Sequence, residues 1–120
     1  MLKLTVVDFG VGIPSNVRLF RRTPNIAAAS AIRWAFQRGT TTKPNGTGRG
    51  LGLDLLKEFV QLNQGRLEVF SHDGYALIGE GQERYETRQS YFEGTLVNIT
   101  LRCDERHYRL ADEVAPEFLF

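Results

Sequence analysis

The run GTTTKPNGTGRGLG, from Gly39 to Gly52, constrains this chain more than any other stretch. It follows neither the strand period nor the helix period and holds too much glycine for a core element, so it reads as a loop that hugs something or moves. A helix follows directly. Leu51, Leu55, Leu56, Phe59, Val60 and Leu62 fall on one stripe, and Gly65 is placed to end that helix in a left-handed conformation. Free amides at a helix N-terminus, aided by the helix dipole, make an anion site, and glycines let the backbone approach phosphate oxygens. Lys43 and Arg49 add positive charge. Isolated glycines usually just turn the chain. Gly46, Gly48, Gly50 and Gly52 alternate, however, and each costs conformational entropy that packing does not return.

The remaining elements frame this loop. Leu2 to Asp8 reads as a strand broken by Gly10 and Gly12, and Pro14 and Ser15 open a short helix through Phe20. Asn25 is placed as N-cap of a helix from Ile26, with Ile32, Ala35 and Phe36 on one face and Gly39 as its stop. Arg66 to Ser71 alternates as a strand, Tyr75 to Ile78 as another short one, and Thr95 to Arg102 as a third. The polar stretch Gly79 to Ser90 suits a solvated hairpin or loop. This order predicts an α+β domain: a two-layer sandwich with helices on one face of a mixed, mostly antiparallel sheet. The 120 residues suit a single domain, since two cores would each be too small to be stable unaided.

Composition narrows the function classes. A formal charge of +1 leaves no broad electrostatic footprint for nucleic acid or an anionic membrane, so anion binding must be local. Cys103 stands alone, which excludes an internal disulfide and a cysteine-rich zinc site. No apolar run approaches the roughly 20 residues of a membrane span, and the expectation is a soluble, cytoplasmic protein. His72 and His107 are expected at the surface, away from other metal-ligand types, and Trp34 in the core.

Three nucleotide motifs fail. No glycine precedes a lysine, so there is no P-loop, and the sixth position of the dinucleotide fingerprint is never glycine. Asp8-Phe9-Gly10 spells the protein-kinase metal motif, but seven residues before it leave no room for the other kinase parts.

Taken together, the residues resemble the GHKL superfamily of ATP-binding domains, with its Bergerat fold, which includes sensor histidine kinases, gyrase B subunits and mismatch-repair ATPases. Asp8-x-Gly10-x-Gly12-Ile13-Pro14 looks like the first glycine box, Thr41-Thr42-Lys43 like the tract before the ATP lid, and Gly46 to Leu53 like the second glycine box. The order of motifs and elements covers residues 2 to 102, so the expected organisation is an ATP-binding domain over 1–102 and a tail over 103–120.

The resemblance implies that Asp8 accepts a hydrogen bond from the adenine amino group while Gly10 and Gly12 let the loop pass close to the base. It implies that the glycines Gly46, Gly48, Gly50 and Gly52 wrap the phosphates, with Lys43, Thr47, Arg49 and Leu51 as binding candidates of the same tract; Thr40 to Gly50, with almost no apolar side chains to bury, is expected to be a mobile lid without nucleotide. Thr95 matches a threonine in the water network under adenine, although as a residue alone it equally suits a strand. The family's magnesium-binding helix precedes the first glycine box. The resemblance thus implies either a truncated Bergerat-like fragment, the preferred reading, or a domain that has lost the metal-binding part, with ATP as ligand, magnesium expected only with the upstream segment, and no catalysis by these residues alone. The implied parent is a histidine-kinase-like protein or ATPase. A non-catalytic regulatory or assembly module is the alternative, and another protein or a second copy is the partner open to the tail.

Overall fold

The computed structural model describes residues 1–37, 52–79 and 81–103. In chain order these form strand β1 (Leu2–Asp8), helices α1 (Ile13–Arg21), α2 (Ala28–Ala35) and α3 (Leu53–Asn63), and strands β2 (Arg66–Gly79) and β3 (Gln82–Leu101). The sheet order is β1-β3-β2, and both pairings are antiparallel. The α+β class is therefore as the sequence predicts, and every strand pairing among the described residues is antiparallel.

The alternation in β3 sets the two faces. Thr95, Val97, Ile99 and Leu101 are buried, and their partners across the ladder share that face: Asp8, Val6, Leu4 and Leu2 on β1, and Val97 and Ile99 opposite Val69 and Leu67 on β2. Ile32, Phe36, Leu56, Phe59 and Val60 pack onto this face from the helix side, building one core with Leu67, Val69, Val97 and Ile99. β1 is less covered, with Leu2 and Leu4 each 37% exposed.

Local signals misplace several helix ends. α2 starts at Ala28 with Ala27 as N-cap, not at Ile26 behind Asn25. Its Ala29 amide is satisfied from a distance, donating to Thr87 Oγ1 on β3 at 3.0 Å, so tertiary contact replaces a local cap. In α3 the buried residues are Leu56, Phe59, Val60 and Asn63, whereas Leu55 and Leu62 are 39% and 73% exposed. The stripe is rotated because Asn63 takes an inward position, where its Oδ1 accepts the Arg102 amide at 2.9 Å. Gln64, not Gly65, adopts the left-handed C-cap conformation, with φ 60°. Gly65 serves a different need: a Cβ there would lie 2.3 Å from the Thr100 carbonyl oxygen. Trp34 is half-buried, packed on Phe20 instead of in the core.

The two short strands expected over 66–78 are one strand that doubles back. Fourteen extended residues would span about 46 Å. Yet a Cβ on Gly79 would lie 4.0 Å from the Gly65 carbonyl oxygen, and Tyr75 donates its hydroxyl to Glu68 at 2.6 Å. The reversal coincides with register shifts on either side of His72, whose φ is 55°. Gly74 follows, where a Cβ would lie 2.4 Å from Ile32 Cδ1. The folded-back hairpin sends Ala76 and Ile78 into the core, sets Tyr85 against Phe36 and pairs Glu83 with Lys57 of α3. Residues 79–90 do contain the expected hairpin turn, but beyond it the chain continues as β3.

Candidate functional site

The strand-to-loop junction after β1 is built around a serine. Ser71 lies at the bend of β2, fully buried, and its hydroxyl donates to the Gly94 carbonyl at 2.6 Å. The same oxygen accepts the Ile13 amide at 2.8 Å and lies 3.0 Å from Thr95 Oγ1. One donor and two acceptor positions exhaust what a serine hydroxyl can do. Ser71 thereby ties three segments together: the loop into α1, the bend of β2 and the start of the inner part of β3.

Asp8 stands at the edge of this clamp, paired in register with Thr95. Its Oδ1 accepts the Gly10 amide at 2.9 Å, which curls the loop back over the strand end. Its side chain is exposed, and Oδ2 accepts no hydrogen bond among the described residues. A Cβ on Gly10 would lie 3.2 Å from Asp8 Oδ1, tighter than ordinary contact, so glycine keeps the loop close to the carboxylate. Gly94, at φ 88°, passes so near β1 that a Cβ would lie 2.2 Å from the Asp8 carbonyl oxygen. Gly12, at φ 86°, is the N-cap of α1, and a Cβ there would lie 2.4 Å from His72 Nε2. His72 in turn stacks on Tyr91 with centroids 4.9 Å apart, and Phe9 faces Phe92 at 6.2 Å.

The structure thus brings Asp8, Gly10, Gly12 and Thr95 together, and Gly52 opens α3 as its N-cap. Lys43, Gly46, Thr47, Gly48, Arg49, Gly50 and Leu51, and with them the expected lid, lie outside the described residues, as do His107 and the tail beyond Cys103. Ser71, His72 and Gly94 are the members that sequence reading missed. Ser71 had a signal: it continues the core-facing positions Leu67 and Val69, where a polar residue must find partners. A polar groove of about 570 Å3, lined by Gln61, Gln64, Gly65, Gly79 and Gly81, lies at the C-terminal end of α3. Gly65 approaches Thr100, at the other end of the β3 ladder from Thr95, so this groove is remote from Asp8.

No group of three His, Cys, Asp or Glu side chains among the described residues could hold a metal ion.

A glycine-lined loop thus folds over a strand-end carboxylate on the helix-covered side of an antiparallel sheet. The profile of histidine kinase-, DNA gyrase B-, and HSP90-like ATPases matches residues 1–105, and the chain belongs to that family. It is an ATP-binding domain of the GHKL type. Searches of curated proteins and of solved structures returned no significant match. No helix among the described residues is long and apolar enough to cross a membrane.

Proposed function

We propose that Asp8 is the adenine-reading residue of this domain. The observation that carries the reading is the division of labour within its carboxylate: Oδ1 holds the Gly10 amide while Oδ2 stays open. An ionised carboxylate only accepts hydrogen bonds, so the open oxygen selects an amino group over a carbonyl, which distinguishes adenine from guanine at the six-position. Thr95, fixed by Ser71, sits beside it as a second polar contact. Gly10 and Gly12 admit the base, and Lys43, Gly46, Thr47, Gly48, Arg49, Gly50, Leu51 and Gly52 cradle the phosphates at the start of α3. Magnesium joins with ligands outside the described residues. The domain covers residues 1–102 and acts in the cytoplasm as the ATP-binding part of a histidine-kinase-like signalling protein. It binds nucleotide without turning it over alone.

Titration with a fluorescent ATP analogue tests the reading. A hydrogen bond to a charged group is worth about 1.5–3 kcal/mol, so Asp8→Ala should weaken binding roughly tenfold or more. Asp8→Asn keeps an acceptor for the Gly10 amide and can present a donor outward, so it should lose adenine preference relative to a guanine analogue. Unchanged affinity in Asp8→Ala would remove the assignment.

A further inference from the structure

Net charge hides a strong asymmetry. Between Asp8 and Asp54 the chain carries Arg18, Arg21, Arg22, Arg33, Arg38, Lys43 and Arg49, and not one Asp or Glu. In the described part of that stretch, Arg18 is engaged, its Nε donating to the Ile26 carbonyl at 2.9 Å. Arg21, Arg22 and Arg33 are exposed, and none of them forms an ion pair among the described residues. Arg21 and Arg22 close α1 next to Phe20, and Arg33 precedes Trp34 on α2, within electrostatic range of Tyr85. Phe20, 54% exposed, packs on Trp34 with centroids 5.8 Å apart, and the Arg21 guanidinium lies 5.5 Å from the Trp34 ring centre. Arginine, tryptophan and phenylalanine side by side are the composition of a protein-binding hot spot.

The complementary chemistry lies in the same chain. Residues 104–120 hold Asp104, Glu105, Asp112, Glu113 and Glu117 against Arg106 and Arg109, and they finish Phe118-Leu119-Phe120. We infer that this acidic, aromatic segment docks on the α1–α2 face of its own chain, its carboxylates on Arg21, Arg22 and Arg33 and its apolar end beside Phe20 and Trp34. Reach permits it: 17 residues span up to about 56 Å, more than the 45 Å long axis of the molecule. Guanidinium forks grip phosphate as well as carboxylate, but the nine-residue helix exposes only Leu19 and Phe20 as large apolar side chains, a small area for a membrane.

Trp34 is the only tryptophan and lies in the patch, so its fluorescence reports the contact in the full chain. At low salt, acrylamide should quench Trp34 at least about twofold more strongly in the full-length triple variant Asp112→Lys, Glu113→Lys, Phe118→Ala than in the wild type. Salt at 1 M, about three Å of screening length, should erase the difference. Arg22→Glu with Arg33→Glu should expose Trp34 as the tail variant does, and adding Asp112→Lys and Glu113→Lys to that pair should restore shielding, with far-UV circular dichroism confirming that each variant folds. Equal quenching of wild type and tail variant at low salt overturns the inference. So does shielding that grows with protein concentration, which assigns the face to a second copy, or an emission shift on phosphatidylserine vesicles that is the same in both chains while buffer shows no difference.

Discussion

Ser71→Ala removes the side chain on which three segments converge, and its cost can be worked from the geometry. Three partners lose a bond: the Ile13 amide, the Gly94 carbonyl and the Thr95 hydroxyl. Ile13 is half-buried, so its amide regains water, whereas Gly94 and Thr95 are buried. A buried polar group left unsatisfied costs about 1–3 kcal/mol; the carbonyl keeps a second lone pair and the threonine hydroxyl can rotate, so the two together should cost about 2–4 kcal/mol. With a urea m-value of roughly 1.5 kcal/mol/M for a domain of this size, the unfolding midpoint should fall by about 1.3–2.7 M. Thr95→Val deletes a single donor and should cost about 1 kcal/mol. The double variant should cost less than the sum, because the hydroxyl orphaned by the first change is absent. The fluorescent nucleotide should bind less tightly to Ser71→Ala wherever it remains folded, since the loop carrying Gly10 and Gly12 has lost its anchor. A midpoint shift worth under about 0.5 kcal/mol, with nucleotide affinity unchanged, would refute the clamp.

Gly94→Ala should destabilise by more than about 2 kcal/mol, because it combines a strained φ of 88° with a Cβ placed 2.2 Å from the Asp8 carbonyl oxygen; thermal melting within a degree or two of wild type would refute it. Burial, foremost, raises the phenol pKa of both Tyr75 and Tyr85, and the carboxylates of Glu68 and Glu83 add to it. The unfolded chain therefore releases these protons first, near pH 10, so the stability they contribute is intact below pH 10 and declines as pH rises above it. Tyr85→Phe should flatten that decline in urea unfolding at pH 9 and pH 11, and an equal decline in both proteins would count against the burial of Tyr85.

What could be read in advance was whatever short-range pattern decides. The alternation at Val97, Ile99 and Leu101 and the glycines of the first box are local facts, and the structure keeps them. What escaped reading was decided by contacts between distant residues. Asn25 has the chemistry of a cap, but the first turn of α2 takes its partner from Thr87, 58 residues further on. Leu62 has the chemistry of a core residue, but Asn63 rotates the helix by holding both backbone polar groups of Arg102, its Nδ2 donating to the carbonyl at 3.4 Å and its Oδ1 accepting the amide. Asp8 and Thr95 could be nominated from motif order, whereas Ser71 acquires its role only because β2 turns back at that residue.

The ladder between β1 and β3 also orders events during synthesis. Asp8 pairs with Thr95 and Leu2 with Leu101, so β1 emerges from the ribosome roughly 90 residues ahead of the strand that completes it. At about 5–20 residues per second, that interval is on the order of 5–20 s. Throughout it Leu2, Leu4, Val6 and Val7 have no ladder partner, in a segment that carries no proline and only Lys3 as a cation. Helices α1, α2 and α3 and the hairpin of β2 and β3 can form from nearer neighbours meanwhile. Closure of the sheet is then a late step, and the nascent chain carries β1 as an open edge available to chaperones until β3 arrives.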